Sequence, residues 1–236
     1  MTSEPQGPAV GILTRYPERG VGKTRLAAAI GEEAAHRLAL AMLLDVCEVV
    51  RGTALCHPTV FVDPADAIDA AGELTGIPDV RAQSGGDIGE RMLAAARALG
   101  SDGYRPIILV GSDLPLLDSA RIHHALRALR RAEVVFGPAS DGGYTLVGMQ
   151  RPQPALFEAP SSGEGTIEWS GPRVLEASIA AAERTGLSYG LLPESFDVDT
   201  REDLERLREE LARRDLEGIA LPRHTVAALD ELDASH

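Results

Sequence analysis

At 236 residues, with 44% hydrophobic and 25% charged side chains, the chain has the make-up of one ordinary α/β domain, and no apolar run approaches the length that crosses a bilayer. A net charge of −13 excludes the extended basic face that nucleic-acid binding requires. Cys47 and Cys56 form no C-x-x-C pair, and neither they nor His57, His123 and His124 have the spacing of a disulfide framework or a zinc site.

The N-terminal MTSEPQGPAV lacks the basic and apolar regions of a secretory signal, so the chain reads as cytoplasmic. AVGILT (9–14) then reads as a short buried strand, and a helix is expected near 23–51. TVFVD, PIILVG, AEVVFG, YTLVGM and LSYGLL follow as further strands, separated by helical patterns near 65–72, 88–99, 119–131, 172–185 and 201–214. This alternation predicts a three-layer α/β/α domain with a mostly parallel sheet over residues 9–214. YTLVGM follows AEVVFG too closely for a helical crossover, which predicts one departure from parallel order. Residues 1–8 and 215–236 read as loosely held tails.

Between the first strand and the first helix lies YPERGVGKTRLA (16–27), whose GVGKT resembles the end of a phosphate-binding P-loop. The full pattern needs glycine where Pro17 stands, and proline has neither the free φ nor the N–H that such a loop uses. The charge pattern is nevertheless that of an anion site. Arg15, Arg19, Lys23 and Arg25 face only Glu18, in an otherwise acidic chain whose sole lysine is Lys23. Cations are unfavourable at a helix N-terminus unless an external anion balances them.

In open parallel sheets, ligands collect where loops leave the carboxyl ends of the strands. After PIILVG comes SDLP with Asp113, and after LSYGLL comes PESFDVDT with Asp197 and Asp199. Carboxylates in those places suit a divalent cation of the magnesium class, which takes one or two carboxylates and completes its shell with water and phosphate oxygens. Each also has a local reading: Asp113 as a turn residue, Asp199 as an aid to the helix cap that Thr200 starts. QSGGDIGERM (83–92) is a glycine turn feeding a helix, with Asp87 and Glu90 spaced as a capping box. Gly85 and Gly86 there leave room for backbone to approach a planar ligand, and the Gln83 amide suits a base edge. In GPASDGGYTLVG (137–148), Asp141, Gly142, Gly143 and Tyr144 read either as a tight strand-to-strand turn or as a loop over an acceptor.

Taken in order, ILTRYPERGVGKTRL, QSGGDIGERM, ILVGSDLP, VVFGPASDGGYTLVGM, EWSGPRVLEAS and DVDTREDLERL closely resemble the DUF2064 family, which is glycosyltransferase-A-like and similar to nucleotidyltransferases such as the molybdenum cofactor and phospholactate guanylyltransferases. The resemblance runs from about residue 9 to 211. It implies a Rossmann-like nucleotide-diphospho-sugar transferase fold, with nucleotide held by Thr14, Arg15, Gly20, Lys23, Arg25, Gln83, Gly85 and Gly86. It further implies magnesium or manganese on Asp113 and Asp199, with Asp197 beside them, and acceptor at Asp141, Gly142, Gly143 and Tyr144. Within the first loop, Pro17, Gly20, Lys23, Thr24, Arg25 and Leu26 match the family pattern, whereas Arg15, Arg19 and Gly22 depart from it. The P-loop likeness is then accidental.

The leading expectation is nucleotidyl transfer from a nucleoside triphosphate to a phosphorylated small molecule, with Lys23, Arg25 and Asp113 catalytic and pyrophosphate released. A phosphate nucleophile is already ionised and needs no general base. Glycosyl transfer from a nucleotide sugar is the alternative, with Asp141 as base, and a non-catalytic nucleotide-binding protein is a third reading.

Overall fold

The structure, a computed structural model, describes residues 6–18, 20, 22–158, 167–169 and 171–234. Its seven-stranded sheet comprises β1 (Ala9–Arg15), β2 (His57–Asp63), β3 (Val80–Ala82), β4 (Ile107–Gly111), β5 (Val134–Pro138), β6 (Tyr144–Met149) and β7 (Tyr189–Leu191), in the order β3-β2-β1-β4-β6-β5-β7. β6 runs antiparallel to both β4 and β5, and every other pairing is parallel. The predicted departure from parallel order is therefore real: a five-residue turn cannot carry the chain back across the sheet.

Strand side chains alternate between two cores. Val10, Ile12, Val60, Val62, Ile108 and Val110 face α2 (Glu32–Gly52), α3 (Ile68–Thr75) and α5 (Ser119–Leu129). Ala9, Leu13, Phe61, Ile107 and Leu109 face α4 (Ile88–Ser101) and α6 (Val174–Arg184). Because both faces are covered, the strands read as continuous apolar runs rather than as alternating ones.

The expected helix over 23–51 is two helices, α1 (Thr24–Ile30) and α2, separated at Gly31, whose φ of 86° leaves the helical region. The segment 215–236, expected to be a loose tail, instead folds over most of its length. α7 runs Arg201–Leu216, and α8 (Arg223–Ala234) packs Leu229 and Leu232 with Leu38, Met42, Leu207 and Leu211 in a third core. Asp45 on α2 holds the start of α8, its carboxylate accepting from the N–H groups of His224 (3.0 Å) and Thr225 (2.8 Å) and from Thr225 Oγ1 (2.6 Å). The first N–H groups of a helix lack partners within it, so a carboxylate from a neighbouring helix both satisfies them and suits their positive end. At the other end of the chain, residues 1–5 lie outside the described residues, while Gln6 N–H already bonds Gly103 O at 3.0 Å.

Candidate functional site

The carboxyl ends of β1, β4, β5 and β7 point to one edge of the sheet, and the loops leaving them meet there. Val198 N–H donates to Asp113 O at 3.1 Å, which fastens the loop after β7 to the loop after β4. Lys23 closes the group from the first loop. Its Nζ lies 2.6 Å from Asp113 Oδ2, 2.7 Å from Val198 O and 3.4 Å from Asp199 Oδ1. Arg25 takes the other oxygen of Asp199. Residues separated by 90 and 175 positions thus converge on one ammonium.

Lys23 reaches this position with a left-handed backbone, φ 46° and ψ 37°. A side-chain-bearing residue adopts that conformation at a cost of about 1–2 kcal/mol, so the surrounding contacts must hold it. Burial lowers the Lys23 pKa, but the charges of Asp113, Asp199 and Asp197 together outweigh it and leave the pKa above that of an ordinary lysine. Burial and the neighbouring Asp113 push the Asp197 carboxyl up to about 6, against the partial opposition of Lys23. A carboxylate group with more negative charge than its protein cations balance has room for a further cation.

Two clefts open on this group. The first, of about 390 Å³, runs from the first loop across β1 and β4. Thr14, Arg15, Lys23, Gln83, Arg91 and Asp113 are among its lining residues. The second, of about 430 Å³, includes Arg25, Asp113, Asp141, Gly143, Tyr144 and Asp197. Asp113 belongs to both, at their junction.

The remaining expected residues fall into place unevenly. Thr14 is buried, its hydroxyl donating to Arg15 O at 2.9 Å, and Arg15 lies 3.6 Å from Asp63. Gly20 and His36 line a further hollow, which shares Pro17, Gly22 and Lys23 with the first cleft, and Arg19 lies outside the described residues. Gln83 faces the first cleft, but its amide nitrogen donates to Thr14 O (2.7 Å) and Phe61 O (3.0 Å). Those bonds hold the loop after β3 against β1 and β2, and they engage the amide that base reading would use. Gly85 and Gly86 belong to the α4 cap: Asp87 accepts from Glu90 N–H at 2.8 Å, and Glu90 accepts from Gly86 N–H at 2.6 Å. Glu90 thus reaches back one residue beyond the Asp87 cap, and both glycines lie against it: a Cβ on Gly85 would meet the Glu90 Cβ at 2.8 Å and one on Gly86 its Oε2 at 3.0 Å.

Among the residues expected at an acceptor, Asp141 Oδ1 accepts from Gly143 N–H at 2.9 Å, shaping the turn. Gly142 is required by packing, since a Cβ there would lie 1.8 Å from Pro172 O and its φ is 89°. Tyr144 leans on Phe136 with 5.4 Å between ring centroids, and burial drives its hydroxyl pKa far up. Asp199 did not need to cap α7, because Thr200 and Asp203 form the capping box themselves.

The ligand oxygens of Asp113, Asp197 and Asp199 do not all lie within 4.8 Å of one another; among the described residues the carboxylate and histidine group that does is Asp45, Glu48 and His224, whose Asp45 is engaged by α8. Asp199 is held by Arg25 and Lys23. Asp113 and Asp197 line the second cleft, whereas Asp199 faces Lys23 and Arg25. Their oxygen-only donor set fits a hard divalent cation.

Sequence reasoning passed over two residues in motifs that it had singled out. Arg91, in QSGGDIGERM, adds a cation to the first cleft and binds Asp63 at 3.0 Å. Trp169, in EWSGPRVLEAS, lines the second. A single arginine or tryptophan near a turn carries no local signal of what it faces.

A sheet of this order, with one antiparallel strand and its charged groups at the carboxyl edge, is the fold of the nucleotide-diphospho-sugar transferases. A structure provisionally assigned to that class, from Desulfovibrio desulfuricans G20, matches with a TM-score of 0.83 and 29% identity, over 98% of this chain and 96% of that one. A 4-diphosphocytidyl-2C-methyl-D-erythritol synthase from Anaerococcus prevotii DSM 20548 shares the fold alone, with a TM-score of 0.57 and 11% identity over 86% of this chain and 96% of that one. The chain belongs to DUF2064, a family of uncharacterised proteins conserved in bacteria, whose model matches residues 46–164. It is also 33% identical over 196 residues to a 2-phospho-L-lactate guanylyltransferase from Methanopyrus kandleri, covering 82% of this chain and 88% of that protein.

Proposed function

We propose that the protein is a nucleotidyltransferase that joins a nucleoside monophosphate unit to a phosphorylated small molecule. One observation carries this reading: Lys23, the only lysine, lines the first cleft and is held there by Asp199, Val198 O and Asp113, the last of which lines both clefts. A triphosphate along the first cleft would place its phosphates beside Arg15, Lys23 and Arg91. An acceptor in the second would meet it at Asp113.

In the reaction, an oxygen of the acceptor phosphate forms a bond to the α-phosphorus while the bond from that phosphorus to the bridging oxygen breaks. The electron pair of the broken bond leaves with pyrophosphate. The chain's part is to align the two phosphates and to balance negative charge, for which fixed cations in a partly enclosed cleft are effective. Asp113 and Asp197 would hold a magnesium or manganese ion, with Asp199 steadying Lys23 and Arg25 beside it. Such an ion supplies charge neutralisation at the phosphates when bound. The name of the phospholactate relative makes guanosine triphosphate the first nucleotide to test.

Glycosyl transfer remains a second reading because Asp141 lines the acceptor cleft, where an inverting transferase needs a base. Incubation with each nucleoside triphosphate and a panel of phosphorylated acceptors separates the two. Pyrophosphate release supports nucleotidyl transfer, whereas nucleoside diphosphate release from a nucleotide sugar with no pyrophosphate from any triphosphate rejects it.

A further inference from the structure

The two clefts differ in the charge that they present. Among the described residues, the first is lined by Arg15, Lys23 and Arg91 with Asp113, and the second by Asp113, Asp141 and Asp197 with Arg25; Lys23 holds Asp113 and Arg25 is paired with Asp199, so Asp141 and Asp197 are the carboxylates of the second cleft without a cation of their own there. The second cleft also has an aromatic wall. Trp169 is wedged against Gly89, where a Cβ would lie 2.1 Å from its Cε2, and is stacked on Phe157 with ring centroids 6.1 Å apart and planes 17° apart. The indole is thereby fixed from two sides at the edge of the acidic cleft.

We propose that, granted the transfer reaction above, the body of the acceptor is neutral and polyhydroxylated, sugar-like or polyol-like, and that an acceptor carrying its own carboxylate there is discriminated against. Ionised carboxylates can only accept hydrogen bonds, and hydroxyl groups are the neutral donors that satisfy them. A fixed indole offers an apolar plane to the C–H face of a ring while the hydroxyls turn to the acids. A carboxylate ligand would instead stand beside the like charges of Asp141 and Asp197, a juxtaposition that weakens binding. With a divalent cation on Asp113 and Asp197, Asp141 still presents unbalanced negative charge. The inference separates this chain from its phospholactate-named relative, whose acceptor has a carboxylate beside the phosphate.

Trp169 is the only tryptophan in the chain, so its emission reports on this cleft directly. The test titrates the full chain with a hexose 1-phosphate, 2-phospholactate and inorganic phosphate, first without metal or nucleotide, then with magnesium and a non-hydrolysable guanosine triphosphate analogue. The hexose phosphate should shift the emission saturably, and phospholactate should bind roughly tenfold or more weakly, as like-charge repulsion requires. Asp141→Asn, which keeps the oxygen that accepts from Gly143 N–H, should narrow that ratio. Phospholactate binding as tightly as the hexose phosphate, an unchanged ratio in D141N, or no response to the hexose phosphate under either condition each overturns the proposal. Failure of the transfer reading is separately visible. Pyrophosphate release with phospholactate keeps nucleotidyl transfer and rejects the acceptor class, while tight hexose phosphate binding without pyrophosphate release from any triphosphate does the reverse.

Discussion

The two ends of the parallel sheet carry the same kinds of charged residue and treat them in opposite ways. At the amino ends of the strands, Asp79 accepts from both Arg81 Nε and an Arg81 terminal nitrogen at 2.8 Å, and meets Thr59 Oγ1 and His57 Nε2 at 2.9 Å. His57 stacks on Tyr104 with 4.5 Å between centroids. Burial alone would raise the Asp79 pKa, yet its bonds to Arg81, His57 and Thr59 hold it down to about 2. At the carboxyl ends, the Asp197 carboxyl is pushed up to about 6 because burial and Asp113 dominate. One edge is a closed network that favours the folded chain, and the other keeps excess negative charge beside strained Lys23. A fold tolerates such a conflict where ligands complete it.

The comparison can be broken most directly at the junction of the clefts. Lys23→Ala and Asp113→Ala should each lower turnover by on the order of a hundredfold or more, the scale for removing a positioned charge. Near-normal rates of pyrophosphate release in both variants would reject the site. Next in size, Asp45→Ala should destabilise the chain by roughly 2–3 kcal/mol, because it leaves the start of α8 and a buried hydroxyl without a carboxylate partner. Chemical denaturation measures this, and an unchanged midpoint would show that α8 contributes nothing to the folded state.

Asp79→Asn should cost roughly 1–2 kcal/mol at neutral pH with no change in turnover, since its charge-assisted bonds are partly exposed to solvent. The depressed pKa fixes the sign. The stabilisation is complete above the unfolded value of 3.8 and is lost as pH falls toward about 2. Asp197→Asn should act in the opposite direction on stability while impairing turnover. The folded carboxyl binds its proton up to about pH 6 and the unfolded one only to 3.8, so wild-type stability falls as pH rises between those values. Melting curves of D197N should therefore lie above wild type at pH 7 to 8, by about 2–4 °C for each kcal/mol relieved. A variant less stable than wild type at that pH would remove the contrast between the two edges.

Much of the layout was legible because its causes are local. Apolar runs marked β1, β2, β4, β5 and β6, the five residues between β5 and β6 forbade a parallel crossover, and Asp87 with Glu90 announced the start of α4. The break at Gly31 was not legible, because an apolar pattern continues through it. Nor was α8, whose anchor Asp45 lies about 180 residues earlier in the chain.

For the site, the sequence alone determined the ingredients: a cationic first loop with a single lysine, and aspartates placed just after strands, where backbone direction sends them to one edge. Only the tertiary structure decided their pairing. It gave Asp199 to Arg25 and Lys23, left Asp197 facing the second cleft with Asp113, engaged Gln83 in holding loops, and set Trp169 against Gly89. Strand order fixes which loops become neighbours, but the partner of each charge depends on side-chain reach and burial across more than a hundred residues of intervening chain, distances on which local sequence patterns are silent.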